Sequence, residues 1–320
     1  GLGDVYKRQA DEKDYLDGMG RRALRSYLKY GYIPLEDGVP DAFHVKEQVS
    51  RTLEYAYDDF VLAQVARLLQ KEEDYKVLSA RARNYRHVID PQTGYAQGRH
   101  ADGTFLKEQN AFQFTKFITE GAPCHYTWYV PHDPYGLMEC MGGRDNFVQK
   151  LDSMFSEHRY WHGNEPCHQV AFMFNYAGEP WKTQQAVRHI METEYLNAPG
   201  GLSGNDDAGQ MSAWYIFASL GFYPVCPGSP FYVLASPSFP KAVLHLENGK
   251  SFILQAENAS EENIYIQKVT LNGKAYTKNY ISHKDIIAGG EMVFTMGNTP
   301  NKTWGNTPED CPPSLIEVAE

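Results

Sequence analysis

Three short segments of this sequence hold carboxylates among glycine, aromatic and amide residues. They are residues 118–133 (ITEGAPCHYTWYVPHD), 161–168 (WHGNEPCH) and 202–214 (LSGNDDAGQMSAW). A carboxyl group beside apolar rings tends to stay protonated, whereas a carboxyl group in polar surroundings stays ionised. Amide and carboxylate oxygens also bind hard cations. Such a combination is typical of enzymes that cleave glycosidic bonds.

The first segment contains a candidate general acid, Glu120. Tyr126 and Trp128 follow it closely, and partial desolvation by such rings would raise the pKa of the carboxyl group. The alternative is a glutamate in a surface loop at the end of a helix, with both rings in the core instead of stacked on a sugar. His132 and Asp133 could orient a substrate, or Asp133 could cap the next helix.

The second segment suggests a calcium site. Asn164 and Glu165 supply amide and carboxylate oxygens, the ligands that Ca²⁺ prefers. His162 also admits a transition metal, but neither HExxH nor HxxxH occurs, which argues against zinc. Trp161 could stack on a sugar. The alternative is that Asn164 or Glu165 simply begins a helix whose first turn holds a proline.

The third segment places Asp206 and Asp207 directly before a predicted helix. A carboxylate at a helix N-terminus is stabilised in its ionised form by the helix dipole, which suits a general base. An aspartate that only caps the helix is the competing interpretation.

Bulk properties exclude several classes of protein. The chain has 320 residues and a formal net charge of −10, without a basic block, which argues against nucleic acid as a partner. No apolar run approaches the ~20 residues that a membrane-spanning helix needs. The five cysteines are odd in number, so at least one thiol is free or pairs between chains. Residues 1–9 share no pattern with the rest of the chain and are interpreted as a non-native scar.

Periodicity divides the rest of the chain into a helical part, residues 10–222, and a β part, residues 223–303. Helices are predicted at 20–30, 50–70 (with Ser50 as N-cap), 75–88, 145–155, 180–195 and 209–220. They are joined by long loops that hold the three acidic segments, which predicts a toroid of helical hairpins. Strands are predicted at 231–235, 242–246, 251–255, 264–271 and 291–296, with turns at 247–249 and 272–273. Residues 304–320 are expected to fray as a tail.

The acidic segments resemble, in order, signature blocks of glycoside hydrolase family 92, the calcium-dependent exo-α-mannosidases. Residues 50–59 (SRTLEYAYDD), 98–103 (GRHADG) and 221–228 (GFYPVCPG) resemble further blocks of the family. The resemblance covers about residues 15 to 303. It implies a mainly α fold, an incomplete (α/α)6 toroid followed by a smaller antiparallel β unit. It also implies that the N-terminal β-sandwich and early barrel helices of the family are missing partners of this chain.

The resemblance assigns roles to individual residues. Glu120 would be the general acid, Asp207 the general base with Asp206 beside it, and Asn164 and Glu165 would lie at the Ca²⁺ site. The residues that would contact substrate are Tyr126, Trp128, His132, Asp133, His162 and Arg99. Members of the family that favour α-1,2 linkages tend to have Glu at the position of Gly163, so the linkage stays open between α-1,2 and α-1,3.

The resemblance implies an enzyme that removes terminal α-linked mannose from N-glycan or mannan-type glycans, with inversion at the anomeric carbon. A location in the periplasm, at the cell surface or outside the cell is expected for a full-length parent. Two alternatives are an inactive or carbohydrate-binding fragment of such an enzyme, and a toroid glycosidase that acts on another glycan. Without the early helices, the fragment is expected to self-associate and to lack activity.

Overall fold

A computed structural model describes residues 21–37, 46–107 and 110–315 of the chain. The chain divides into two compact units, residues 1–147 and 148–320. The proposed scar at residues 1–9 lies outside the described residues. The division falls within the helical part, whereas the sequence predicts a boundary between helices and strands at residue 222.

The first unit is helical in its regular structure. Its elements are α1 (Leu24–Tyr30), α2 (Gln48–Leu68), α3 (Glu72–Arg81), a 3₁₀ turn (Asn84–Val88), α4 (Pro123–Tyr126) and α5 (Pro134–Cys140), and α6 (Arg144–Ser156) begins in this unit and ends in the second. The predicted C-cap of α1 is confirmed, because Gly31 has a φ of 77° and donates its N–H to the carbonyl of Tyr27. The single helix predicted at 75–88 is instead α3 followed by the 3₁₀ turn.

Helix α2 forms because a regular apolar stripe can be buried along its length. The stripe consists of Val49, Leu53, Ala56, Phe60 and Ala63, all at most 2% exposed, at alternating spacings of four and three. The prediction of Ser50 as N-cap is wrong, because the helix already begins at Gln48. The carbonyl of Phe117 accepts hydrogen bonds from the first N–H groups of the helix instead.

The second unit contains two further long helices and the β structure. The helices are α7 (Pro180–Thr193) and α8 (Gln210–Leu220), which ends at Gly221 with a φ of 88°. The strands are β1 (Phe222–Tyr223), β2 (Phe231–Leu234), β3 (Lys241–His245), β4 (Ser251–Glu257), β5 (Tyr265–Leu271), β6 (Lys274–Ala275), β7 (Tyr280–Ser282) and β8 (Gly290–Gly297), with a short helix α9 (His283–Ile287) between the last two strands.

The strands form a five-stranded sheet of order β3-β4-β8-β5-β6 and a three-stranded sheet of order β1-β2-β7. All pairs are antiparallel except β4 with β8, which is parallel, so the larger sheet is mixed where a fully antiparallel unit was predicted. Both predicted hairpins are present. Asn272 and Gly273 both have positive φ, as the turn between β5 and β6 requires.

Alternation along the strands places one face of the larger sheet in a core. Phe252, Leu254 and Ala256 of β4 are buried together with Met292 and Phe294 of β8, as a strand with one buried face requires. Helix α7 also contributes, because the Gln184 side chain accepts a hydrogen bond from the backbone of Ile266 at 2.9 Å.

The described residues after β8, 298–315, pack against this core and do not fray as predicted, and residues 316–320 lie outside the described residues. Trp304 is 8% exposed within the same apolar cluster, and its Nε1 donates to the carbonyl of Tyr276 at 3.2 Å. The tail is further held by Asn279, whose amide donates to the carbonyl of Gly305 at 2.7 Å and to that of Asn175 at 3.0 Å. Burial of the tryptophan ring and the buried amide hydrogen bonds both hold this segment against the core.

Two other properties concern the chain as far as it is described. All five cysteines are free thiols. None of the described helices combines the length and the hydropathy needed to cross a membrane.

Candidate active site

Glu120 lies in a loop that docks on the N-terminus of α2. The carbonyl of Phe117 accepts from Val49 N at 3.0 Å, and Ser50 Oγ accepts from Thr119 N at 2.8 Å. Ser50 is 1% exposed, so the residue before Glu120 is held by a rigid helical partner. Glu120 itself has a φ of 49°, a conformation that costs about 1–3 kcal/mol in a residue other than glycine and that concentrates at functional sites.

The aromatic residues after Glu120 belong to the core of the first unit. Trp128 is fully buried and meets the ring of Phe147 edge-on at 5.2 Å, and Tyr126 is 4% exposed. Glu120 is exposed instead of being enclosed by these rings as predicted. A ring without an accessible face cannot stack on a sugar, so the alternative core interpretation applies to Trp128 and Tyr126.

Asp133 is the N-cap of α5. Its Oδ1 accepts from Gly136 N at 3.0 Å, and its Oδ2 accepts from the Tyr85 hydroxyl at 2.5 Å. His132 is buried with its ring stacked at 5.4 Å on Phe60, and its Nε2 contacts the carbonyl of Ala82 at 2.7 Å. Burial lowers the pKa of His132 to about 4, so the ring is neutral near pH 7. Both residues are only 2–3% exposed, and the local contacts favour the capping interpretation.

Arg99 holds its own loop together. Its Nε donates to the carbonyl of Gly103 at 2.8 Å and its Nη1 to that of His87 at 3.0 Å. The guanidinium group also lies 5.0 Å from the ring centres of Tyr32 and Phe105. A substrate contact by Arg99 stays a prediction.

Sequence reasoning missed the perturbed carboxyl groups of α2, of which Glu54 is the clearest case. Burial raises the pKa of Glu54 from 4.5 to about 7, and the charge of Asp58 one turn later adds to this effect. A hydrogen bond from Tyr129 acts in the opposite direction. Perturbed carboxyl groups mark functional sites with some frequency. The available signal was its position in the block SRTLEYAYDD, four residues before an aspartate, but burial cannot be read from that pattern.

In the second unit, the GNEP segment begins a 3₁₀ turn (Glu165–Cys167) after Asn164, which is 8% exposed. Its neighbour His162 is 1% exposed and stacks on His168 at 4.6 Å. Burial, reinforced by His168, lowers the pKa of His162 to about 3. His162 is therefore a neutral, enclosed ring, and a substrate contact by it stays a prediction. Trp161, by contrast, is 37% exposed and keeps surface on which a sugar could stack.

Asp206 and Asp207 differ in their surroundings. Asp206 Oδ1 accepts from Ser212 N at 2.9 Å, and Oδ2 accepts from the Ser212 hydroxyl at 3.0 Å, so this carboxylate caps the first turn of α8. Asp207 is exposed, and its φ of 37° places it, like Glu120, in the left-handed region. The hydrogen bonds of Asp206 correspond to the capping interpretation, and the role of general base stays a prediction for Asp207.

The structure brings the second and third acidic segments together. A methyl group added at Gly163 would lie 2.7 Å from the carbonyl oxygen of Ser203, and one at Gly204 would lie 2.3 Å from that of Gly163. Real side chains essentially never approach a backbone oxygen so closely, so this arrangement of the two loops requires glycine at both positions. The two glycines allow the loop of Asn164 and Glu165 to contact the loop of Asp206 and Asp207.

The oxygen-rich GNEP loop has the donor chemistry of a hard-cation site but only two suitable side chains. In the parts of the chain that the structure describes, no group of three or more His, Cys, Asp or Glu side chains is arranged to hold a metal ion. A Ca²⁺ ion here would need backbone carbonyls, water or sugar hydroxyls to complete its 6–8 oxygen ligands. The chemistry of the donors therefore fits calcium and does not favour a thiolate- or imidazole-binding metal.

The chain thus combines a helical part with a following β part, and the candidate carboxylates lie in loops of the helical part. The sequence profile of the glycosyl hydrolase family 92 catalytic domain matches residues 3–298, and the chain belongs to this family. The predicted family and fold class are thereby confirmed.

Solved structures of the family are similar over nearly the whole chain. An inverting mannosidase of family GH92 from Bacteroides thetaiotaomicron is 35% identical with a TM-score of 0.89, over 98% of this chain and 44% of its own. A second α-mannosidase from the same bacterium is 39% identical with a TM-score of 0.86, over 98% and 43% respectively. It has also been solved in complex with mannoimidazole.

A curated relative, an uncharacterized secreted glycosidase of Arthroderma benhamiae, is 30% identical over 92% of this chain and 41% of its own length. The chain thus spans less than half the length of the relatives it matches.

Proposed function

We propose that this chain carries the catalytic carboxylates of an exo-acting α-mannosidase that removes terminal α-linked mannose with inversion. The observation that carries the proposal is the similarity, over 98% of the chain, to two mannosidases. The whole protein's activity is part of the proposal, because the chain spans less than half of those enzymes. The corresponding substrate class is a mannose-containing glycan.

Inverting hydrolysis needs one carboxylic acid to protonate the leaving oxygen and one carboxylate to deprotonate the attacking water. We assign the acid to Glu120, because its exposed side chain stands on a loop held by Ser50. We assign the base to Asp207 in preference to Asp206. Both oxygens of Asp206 already accept hydrogen bonds from Ser212, whereas Asp207 is exposed at the same helix N-terminus.

Asn164 and Glu165 would hold Ca²⁺, which when bound polarises hydroxyl groups of the terminal sugar. Trp161, the exposed aromatic of this segment, would stack on a sugar face. At Gly163 the close carbonyl of Ser203 excludes any side chain from this loop conformation, so the linkage, α-1,2 or α-1,3, depends on other contacts. Export from the cell is the further expectation, in line with the relative named a secreted glycosidase.

The test is hydrolysis of α-1,2- and α-1,3-mannobiose by a full-length parent of this chain, followed by ¹H NMR, with Asp207→Asn and Asp206→Asn as a matched pair. We expect β-mannose as the first product. Asp207→Asn should lower kcat by about 10²–10⁴-fold, and Asp206→Asn should mainly lower stability. α-Mannose as first product would refute inversion, and a loss of kcat confined to Asp206→Asn would move the base to that residue. Mannose binding without hydrolysis would favour a carbohydrate-binding fragment.

A further inference from the structure

The hydroxyl group of Tyr195, just after α7, lies between the second and third acidic segments. It is 2.6 Å from His162 Nε2 and 3.0 Å from the carbonyl oxygen of Met211 in the first turn of α8. On the other side of the imidazole, the Tyr160 hydroxyl is 2.7 Å from His162 Nδ1. One chain of hydrogen bonds therefore links the start of the GNEP segment to the helix that comes after Asp206 and Asp207.

With a neutral imidazole, only one placement of the protons satisfies all three hydrogen bonds. The carbonyl of Met211 can only accept, so Tyr195 donates to it. The oxygen of Tyr195 then accepts from His162 Nε2–H, and Nδ1 accepts from the Tyr160 hydroxyl. This arrangement requires His162 to be protonated on Nε2, which is a testable consequence.

On both sides of the Tyr195 hydroxyl, the hydrogen-bonded residues lie next to residues proposed for the reaction. At one end, His162 stands two positions before Asn164, and its carbonyl is 3.0 Å from His168 Nε2. At the other end, the neighbours of Met211 bind Asp206: Gln210 N donates to its carbonyl at 2.7 Å, and Ser212 N donates to its side chain at 2.9 Å.

We infer that Tyr195 is a positioning residue that fixes the loop of Asn164 and Glu165 relative to the loop of Asp206 and Asp207. The inference rests on the proposed function for the roles of those loops. The Tyr195 hydroxyl acts through His162 and the first turn of α8. The phenol ring is separately held by parallel stacking on Trp214 at 6.0 Å, so removal of the hydroxyl alone leaves the ring in place.

The decisive experiment compares Tyr195→Phe with Tyr215→Phe by hydrogen exchange of backbone amides. Tyr215 is the matched control: its ring lies 4.8 Å from that of Tyr195, and among the described residues its hydroxyl makes no hydrogen bond. In Tyr195→Phe, exchange at Gln210 and Ser212 should accelerate about tenfold, as expected for the net loss of one hydrogen bond. In Tyr215→Phe, both amides should exchange as in the unmodified chain. Unchanged exchange in Tyr195→Phe, or equal acceleration in both variants, would overturn the inference.

Two further readouts separate positioning from a merely structural role. ¹⁵N NMR of the unmodified chain should show His162 protonated on Nε2, and protonation on Nδ1 would overturn the proton arrangement without any variant. In mannobiose hydrolysis, Tyr195→Phe should lower kcat roughly ten- to hundredfold with KM kept within about twofold, and a raised KM with unchanged kcat would contradict positioning. If a full-length parent of this chain hydrolyses no mannoside, the proposed function fails, and the exchange and NMR results still decide whether Tyr195 links the loops.

Discussion

Replacing Glu54 by Gln should remove a pH dependence of stability that is built into α2. Burial raises the pKa of Glu54 from 4.5 to about 7, and the charge of Asp58 adds to this effect. Between these two pH values the folded chain holds a proton that the unfolded chain releases, so the free energy of unfolding falls as the pH rises. The contribution of Glu54 is fully present below pH 4.5 and is lost as the pH passes about 7.

The size of the effect can be worked out from the same two pKa values. At ~1.4 kcal/mol per pKa unit, the raised pKa of Glu54 corresponds to a change of on the order of 3 kcal/mol in the free energy of unfolding. Because Glu54 is half-buried, solvent screening reduces this value, and we expect about 1–3 kcal/mol. Because Gln cannot ionise, the free energy of unfolding of Glu54→Gln should change less between pH 4.5 and 7 than that of the unmodified chain. Above pH 7 the variant should be the more stable of the two.

The assay is urea unfolding at pH values from 4 to 8, combined with a ¹³C NMR titration of the glutamate carboxyl groups. A carboxyl signal with a midpoint near 7 should disappear in Glu54→Gln. The control is Glu73→Gln, which removes a side chain that is 87% exposed and should leave the profile unchanged. Parallel stability profiles for Glu54→Gln and the unmodified chain would refute the reasoning.

The remaining predictions concern catalysis, metal binding and local packing. Glu120→Gln should lower kcat on mannobiose by about 10²–10⁴-fold but affect activated aryl mannosides less, since these need little protonation; equal losses on both substrates would contradict the role of general acid. Chelation with EGTA should abolish hydrolysis, Ca²⁺ should restore it better than Mg²⁺, and Glu165→Ala should weaken calcium binding in a titration; full activity in excess chelator would rule the metal out. Gly163→Ala should lower the melting temperature, because the added methyl group meets the backbone oxygen of Ser203 at 2.7 Å. Asn175→Ala should cost about 1–3 kcal/mol in urea unfolding, because the carbonyls of Leu234 and Asn279 lose their buried donor.

Local patterns in the sequence were enough to identify most regular elements. The apolar stripe of α2, the C-cap glycines Gly31 and Gly221, and the hairpin at Asn272 and Gly273 were predictable, because each depends on residues within a few positions of one another. The six spaced blocks likewise identified the family from sequence alone. The parallel pairing of β4 with β8 and the burial of Trp304 were not predictable, because both depend on residues far apart in the chain.

For the candidate site, the sequence determined which residue types are available and on which segments they stand. Only the tertiary structure separated Asp206, which caps α8 through Ser212, from the exposed Asp207. Tertiary contacts also placed Trp128 and Tyr126 in the core, raised the pKa of Glu54, and joined His162 to Met211 through Tyr195. The contact of Asp206 with Ser212 is local in sequence, but the other cases share one physical reason. Desolvation and hydrogen-bond partnership depend on which atoms surround a side chain, and those neighbours are contributed by segments that are distant in sequence.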